Sequence, residues 1–297
     1  MRTETLMIAQ RFSKWLAVCA ALTSALPLVA RGQDDWRPGA YMRESMIKIL
    51  AAAAVVQKDT DFGFWDTCYL GAFLRQGNHS FLSTTLEQGK TYAFIGAGNK
   101  QALDVDIIIE DEQGEIVQQD VADGAVAAVA FTPQTTQIYT IRLKLHQATE
   151  PCFCGMALMK KGGWDIPVQN LDQAMDRVLR SCENIARQTP IKFLDMPGEW
   201  AMSAQVVRPG QTGGFTDIRM GTGRRILTCG GDSTIEDIDL WLYDHANPGT
   251  ALKLDTDPDP VPFVDYRTTA DKRYGFLTKN VKSRGPGLIM TAQLHAQ

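Results

Sequence analysis

The sequence predicts a mainly β protein with helices, of the α+β class. The expected form is two tandem jelly-roll-like antiparallel β-sandwich modules, each preceded by an amphipathic helix. Three observations predict it. Short β-rich runs recur between turn residues through most of the chain, the pattern of two facing sheets that bury their apolar sides. Two stretches with apolar residues at steps of three and four stand in front of those runs. Finally, the order of features repeats: Leu103–Asp111 matches Glu236–Asp244 at an offset of 133. A repeat of this length marks one module used twice.

The elements follow in order. Met1–Gly32 has the three-part layout of a secretory signal: Arg2, Arg11 and Lys14, then the uncharged Trp15–Ala30, then small residues around a cleavage near Gly32. Trp15–Ala30 is too short and too interrupted to span a bilayer. Module 1 is expected over 33–163 and module 2 over 164–297, with Gly162-Gly163 as the joint. The first helix carries Met42, Met46, Ile49, Leu50, Ala53 and Val56. The second carries Leu171, Ala174, Met175, Val178, Leu179, Cys182, Ile185 and Ala186 as a continuous face, with Asp172, Asp176, Arg177, Arg180 and Arg187 outside it. Asn170 and Gln173 have capping-box spacing, and the helix stops before Pro190.

Strands follow at Phe81–Leu86, Thr91–Ala97, Val105–Glu110, Val126–Phe131, Gln137–Leu145 and Phe153–Met159 in the first copy. The second copy offers Phe215–Met220, Arg225–Cys229, Ile238–Tyr243, Val261–Arg267, Arg273–Thr278 and Leu288–Gln293. Four further anchors support the duplication. Leu74–Gly77 pairs with Val207–Gly210, Gly89–Tyr92 with Gly223–Ile226, Gln137–Ile141 with Lys272–Phe276, and Gly155–Met159 with Gly287–Thr291.

The strand half of each module resembles the bacterial pre-peptidase C-terminal domain, over roughly Ser80–Met159 and Gly213–Gln293. The residues that carry the resemblance are a turn glycine leading to a strand and an Asp-x-Asp opening an apolar strand. A turn at Gly114 or Gly249, a tyrosine strand at Tyr139 or Tyr274 and a closing apolar strand follow. The resemblance implies a non-catalytic accessory sandwich on a secreted protein, binding calcium or an extracellular polymer in some members. Gln137 and Lys272 stand where that family has a glycine, and the leading helices lie outside it.

Charge sharpens the functional expectation. The full chain has 30 basic and 34 acidic side chains, net −4; without Met1–Gly32 it has 26 and 33, net −7. That surface repels phosphate backbones, so nucleic acid is not the expected partner. After signal removal the chain is expected to make no stable membrane insertion. An extracellular polymer or protein is the expected partner, in a secreted or periplasmic setting.

Candidate chemistry is concentrated in the Asp-x-Asp pairs. Asp104 with Asp106, and Asp237 with Asp239, place hard oxygens on neighbouring positions, which suits Ca²⁺. The same aspartates also suit turn capping through loop amides. Trp65 and Trp200, in the helix-to-strand connections, are candidate stacking surfaces for sugar rings or a protein ligand. Trp241 is read as core, and Gly96 and Gly98 as turn glycines. Among five cysteines beyond the signal, the pairing to test first is Cys68 with Cys152 or Cys154. No nucleophile elbow, zinc-protease or nucleotide-binding motif occurs, so the expected class is a non-enzymatic binding or structural protein. A carbohydrate- or matrix-polymer-binding protein is the alternative. A secreted hydrolase with an unrecognised carboxylate site is a second one.

Overall fold

The computed structural model describes residues 37–296. The expected signal segment Met1–Gly32, with Cys19, and Trp36 lie outside the described residues. The protein is mostly β, 56% strand, with two helices among the described residues, and its sheets are antiparallel and arranged as sandwiches. The chain divides into two compact units. In the described residues, one comprises 37–64 with 73–165, and the other 65–72 with 166–296.

Unit 1 begins with α1 (Arg37–Asp59) and the ends of β1 (Phe62–Leu74). Its strands are β2 (His79–Leu86), β3 (Tyr92–Gly98), β4 (Ala102–Glu110), β5 (Ile116–Asp120), β6 (Val126–Phe131), β7 (Gln137–Ala148) and β8 (Cys152–Lys161). One sheet runs β8-β3-β6 and the other β2-β7-β4-β5. The helix packs on β3 and β8. Each residue of β3 is therefore buried, because one face meets the helix and the other the second sheet. Gly96 lies within β3, not in a turn. A Cβ there would stand 2.7 Å from Leu143 Cδ1 and 3.2 Å from Ile107 Cδ1 of the opposite sheet. The glycine lets the sheets close.

Unit 2 begins with α2 (Val168–Ala186) and β9 (Ile191–Phe193). Then come β10 (Met202–Val207), β11 (Thr212–Met220), β12 (Gly223–Gly231), β13 (Ile235–Asp244), β14 (Asn247–Asp255), β15 (Phe263–Thr268), β16 (Lys272–Ser283) and β17 (Gly287–Ala296). One sheet runs β15-β12-β17-β10, and the other β11-β16-β13-β14. This is the jelly-roll order: first, eighth, third and sixth strands face second, seventh, fourth and fifth. Thr67–Gly71 of β1 continues the first sheet by pairing with β10. Between the sheets lie Leu227, Cys229, Ile238, Leu240, Leu242, Tyr274 and Phe276.

Ladder registers show the duplication residue by residue. Asp106 faces Lys144 as Asp239 faces Lys279, and Asp104 faces Gln147 as Asp237 faces Lys282. Even the irregularities coincide, with bulges around Asp104 and around Asp237. A bulge in β11 between Phe215 and Ile218 accounts for the offset drifting from 133 to 134. One anchor shifts: Ala97 faces Gly155 while Gly231 faces Ile289, so Gly155 corresponds to Ile289, not Gly287.

The helix start also departs from expectation. Pro167 is the N-cap of α2, and no side chain caps it. Asn170 Nδ2 instead donates to Asp232 Oδ2 at 2.9 Å, and Gln173 Oε1 accepts from the Ser233 amide at 3.0 Å. Both side chains are spent on tying the β12–β13 loop to the helix.

Candidate functional site

Asp104 and Asp106, two apart on β4, lie on one side of the strand. Both are buried, 5% and 2% exposed, although Asp106 sits on the outward set of β4. Ligand atoms of Asp104, Asp106 and His146 all lie within 4.8 Å of one another, the one such group among the described residues. Its charge is already answered by protein groups. Asp104 Oδ1 accepts from the Gly124 amide at 3.1 Å. Lys144 Nζ stands 3.4 Å from Asp106 Oδ2 and 3.2 Å from His146 Nδ1. An ammonium only donates, so that ring nitrogen is the acceptor. Calcium wants six to eight oxygens, whereas two carboxylates, an imidazole and an ammonium meet here. The donor set does not fit calcium.

The second pair is arranged differently. Position 146 is matched by Val281 on β16, and among the described residues no third His, Cys, Asp or Glu atom gathers within 4.8 Å with those of Asp237 and Asp239. Asp237 Oδ1 is buried without a hydrogen-bond partner. Burial, then the nearby Asp259, raises the Asp237 carboxyl, and burial, then Asp237, raises that of Asp239. Other acids close turns: Asp120 accepts from Ala122 and Ala128, Asp255 from Asp257 and Phe263, and Asp259 from Val261.

A groove of about 650 Å³ opens in unit 2 between α2 and the β12–β15 edge of its sheet, within the size range of ligand sites. One wall is a helix face: Arg177, Ser181 and Asn184 follow at steps of four and three, with Arg180 alongside and Gln188 just past the helix end. The other wall holds Arg224, Asp265 and Phe263, a residue 53% exposed. Arg224 binds Asp265 through Nε and Nη2 and reaches Thr189 Oγ1 at 3.3 Å through Nη1. Arg177 Nη1 donates to the carbonyls of Asp232 (2.9 Å) and Ile235 (3.2 Å). The same clamp in unit 1 is Lys48 Nζ on the carbonyls of Gly98 and Asn99, which aligns the two helices. By that alignment Ala51, Ala52 and Val55 stand where α2 has Arg180, Ser181 and Asn184. Arg180, Ser181 and Asn184 are thus polar in the second copy alone.

The two tryptophans do not make a surface. Trp200 is 8% exposed, and its carbonyl accepts from Gln293 Nε2 at 2.7 Å; Trp65 is half-buried. Trp241 reverses its expectation. Leu240 and Leu242 point to the core, so Trp241 takes the outward side of β13, opposite Leu254 and Leu277. The five described cysteines are free and buried; no bridge joins Cys68 to Cys152 or Cys154. Burial pushes the Cys152 thiol up to about 11, so it packs as a small apolar residue. Sequence reading missed the groove because its helix wall looks like any solvated flank.

Among the described residues no helix is long and apolar enough to cross a membrane. No protein-family model and no curated protein matches the chain. Among solved structures, it is similar to the PliG periplasmic inhibitor of g-type lysozyme from Aeromonas hydrophila. Identity is 12% over 35% of this chain and 89% of that one, with a TM-score of 0.26. It is also similar to the CBM22-1–CBM22-2 tandem of Paenibacillus barcinonensis Xyn10C, at 9% identity over 72% and 82% of the two chains and a TM-score of 0.22. A third is the M60 catalytic domain with CBM51-1 and CBM51-2 of Clostridium perfringens ZmpB, at 7% identity, 78% and 36% coverage and a TM-score of 0.25. Likeness at this level carries no argument about function, which rests on the chain's own geometry.

Proposed function

We propose that the protein is an exported, non-catalytic binding protein that takes an extracellular polymer, of saccharide type, in the groove of unit 2. The observation that carries it is the exposed Phe263 ring facing a helix wall of hydroxyl, amide and guanidinium groups. A flat ring offers stacking area to a sugar face, and fixed polar groups beside it orient hydroxyls. Duplication supports the same reading. Two copies share strand order and the bulge at Asp104 and Asp237, yet Arg180, Ser181 and Asn184 are polar in one only, so those side chains are not needed to build the sandwich. The modules themselves are accessory sandwiches, as their resemblance to pre-peptidase C-terminal domains implies.

The test is affinity electrophoresis of the full chain against a panel of soluble polysaccharides. At least one should retard it, and Phe263→Ala should weaken that retardation roughly tenfold, about 1.4 kcal/mol. Phe81→Ala, at an exposed ring in unit 1, should bind like wild type. Unaltered retardation of Phe263→Ala, or none by any polymer, removes the proposal.

A further inference from the structure

The charge of the groove goes further than its shape. Its lining holds three guanidinium groups, Arg177, Arg180 and Arg224, against one carboxylate, Asp265. This occurs on a chain whose acids outnumber its bases. Asp265 is consumed by Arg224, which grips it through two nitrogens. Arg177 spends Nη1 on two backbone carbonyls, which are dipoles and leave its charge standing. Arg180 pairs with Asp176 one helical turn back, from a side chain 70% exposed. Such a pair holds weakly and gives way to a better partner. Arg177 and Arg180 thus offer planar donor forks matched to anionic oxygens. The first copy has Lys48, Ala51, Lys90 and Phe131 at the positions of Arg177, Arg180, Arg224 and Asp265. Its Lys90 is tied to Glu87.

We infer that the ligand of this groove is an acidic saccharide, with carboxylate or sulfate groups on Arg177 and Arg180 while a ring stacks on Phe263. The inference rests on the groove being the binding site. Anions entering a cationic groove gain from field focusing, and salt weakens them. Neutral chains would gain only the stacking and hydroxyl contacts.

The experiment titrates the full chain with polygalacturonate, dextran sulfate, neutral dextran and duplex DNA at 25 and 250 mM NaCl. Wild type, Arg180→Glu, Arg180→Lys and Phe263→Ala are compared. The expected result is acidic polysaccharide bound at least tenfold more tightly than dextran, with affinity falling at high salt. Arg180→Glu should lose tenfold or more on the acidic polymers, Arg180→Lys much less, and Phe263→Ala should weaken them too. Whichever acidic polymer binds better identifies carboxylate or sulfate as the preferred group. Dextran bound as tightly as the acidic chains, with Arg180→Glu unchanged, overturns the acidic ligand but leaves the groove. Acidic chains and DNA bound alike, with Phe263→Ala unchanged, reveal unspecific charge attraction and overturn both. Polysaccharide binding indifferent to Phe263 and Arg180 overturns the groove itself.

Discussion

Asp104 and Asp237 occupy the same bulge in the two copies, but their charges meet different fates. Asp104 accepts a loop amide and shares its site with Lys144, whereas Asp237 keeps one buried oxygen unpartnered. Desolvation without compensation favours the protonated acid, so the Asp237 carboxyl is raised in the folded chain. A raised acid binds its proton more tightly folded than unfolded. Its cost to stability is therefore present above the folded value and lifts as pH falls through it. Asp237→Asn should then stabilise the protein by about 1 kcal/mol at pH 7, with the gain shrinking towards pH 4. Urea unfolding at the two pH values measures this. Adding calcium should leave the wild-type midpoint unmoved, because Lys144 already serves one pair and, among the described residues, no third carboxylate, imidazole or thiol gathers with the other. A variant less stable than wild type at pH 7, or a calcium-dependent midpoint, would show that Asp237 holds a partner.

At the scale of elements, each helix is bolted to its sandwich by one cation. Lys48 and Arg177 reach the carbonyls of the loop that crosses from one sheet to the other, at Gly98–Asn99 and at Asp232. The Asn99 and Asp232 carbonyls each accept one backbone amide besides, and Lys48 is itself desolvated enough to lower its basicity. Lys48→Met keeps the aliphatic stem and removes the donor, so it should cost about 2 kcal/mol, read as a lower urea midpoint with the slope unchanged. A loss below a few tenths would mean that water replaces the ammonium. These bolts mark the limit of what the sequence shows. The helix faces are legible, since Leu171, Met175, Val178 and Cys182 must be buried and their spacing says so. The paired aspartates, tyrosine strands and offset are legible too, because a repeat declares itself without structure. β1 is not: Cys68, Tyr69 and Leu70 are each fully buried, so alternation, the signal of a half-exposed strand, is missing. Arg177 hides as well. Beside Arg180 on the polar flank of α2 it reads as solvated charge, and only the loop above reveals it as a clamp.

For the molecule as a whole, the sequence places a boundary at Gly162-Gly163, and the fold makes a definite statement about cutting there. Residues 164–297 retain β10–β17, a complete two-sheet jelly roll with its helix and its groove. What they lose is Thr67–Gly71, which pairs along β10 opposite β17. The β10 edge then presents unpaired amides and carbonyls flanked by buried Met202, Ala204 and Val206, the kind of edge that recruits another strand. The isolated fragment 164–297 should therefore unfold cooperatively yet self-associate with rising concentration, as sedimentation velocity would show. A peptide covering Phe62–Leu74 should dissociate it by filling the vacant register. Fragment and full chain should bind saccharide alike, because every groove residue lies within 164–297. A fragment without a cooperative transition would mean that β1 completes the fold of the second copy. A strictly monomeric fragment, indifferent to the peptide, would mean that the β1–β10 ladder is dispensable. The first outcome would place the repeat's autonomy in its sequence and not in its folding; the second would make the shared strand a by-product of tandem duplication.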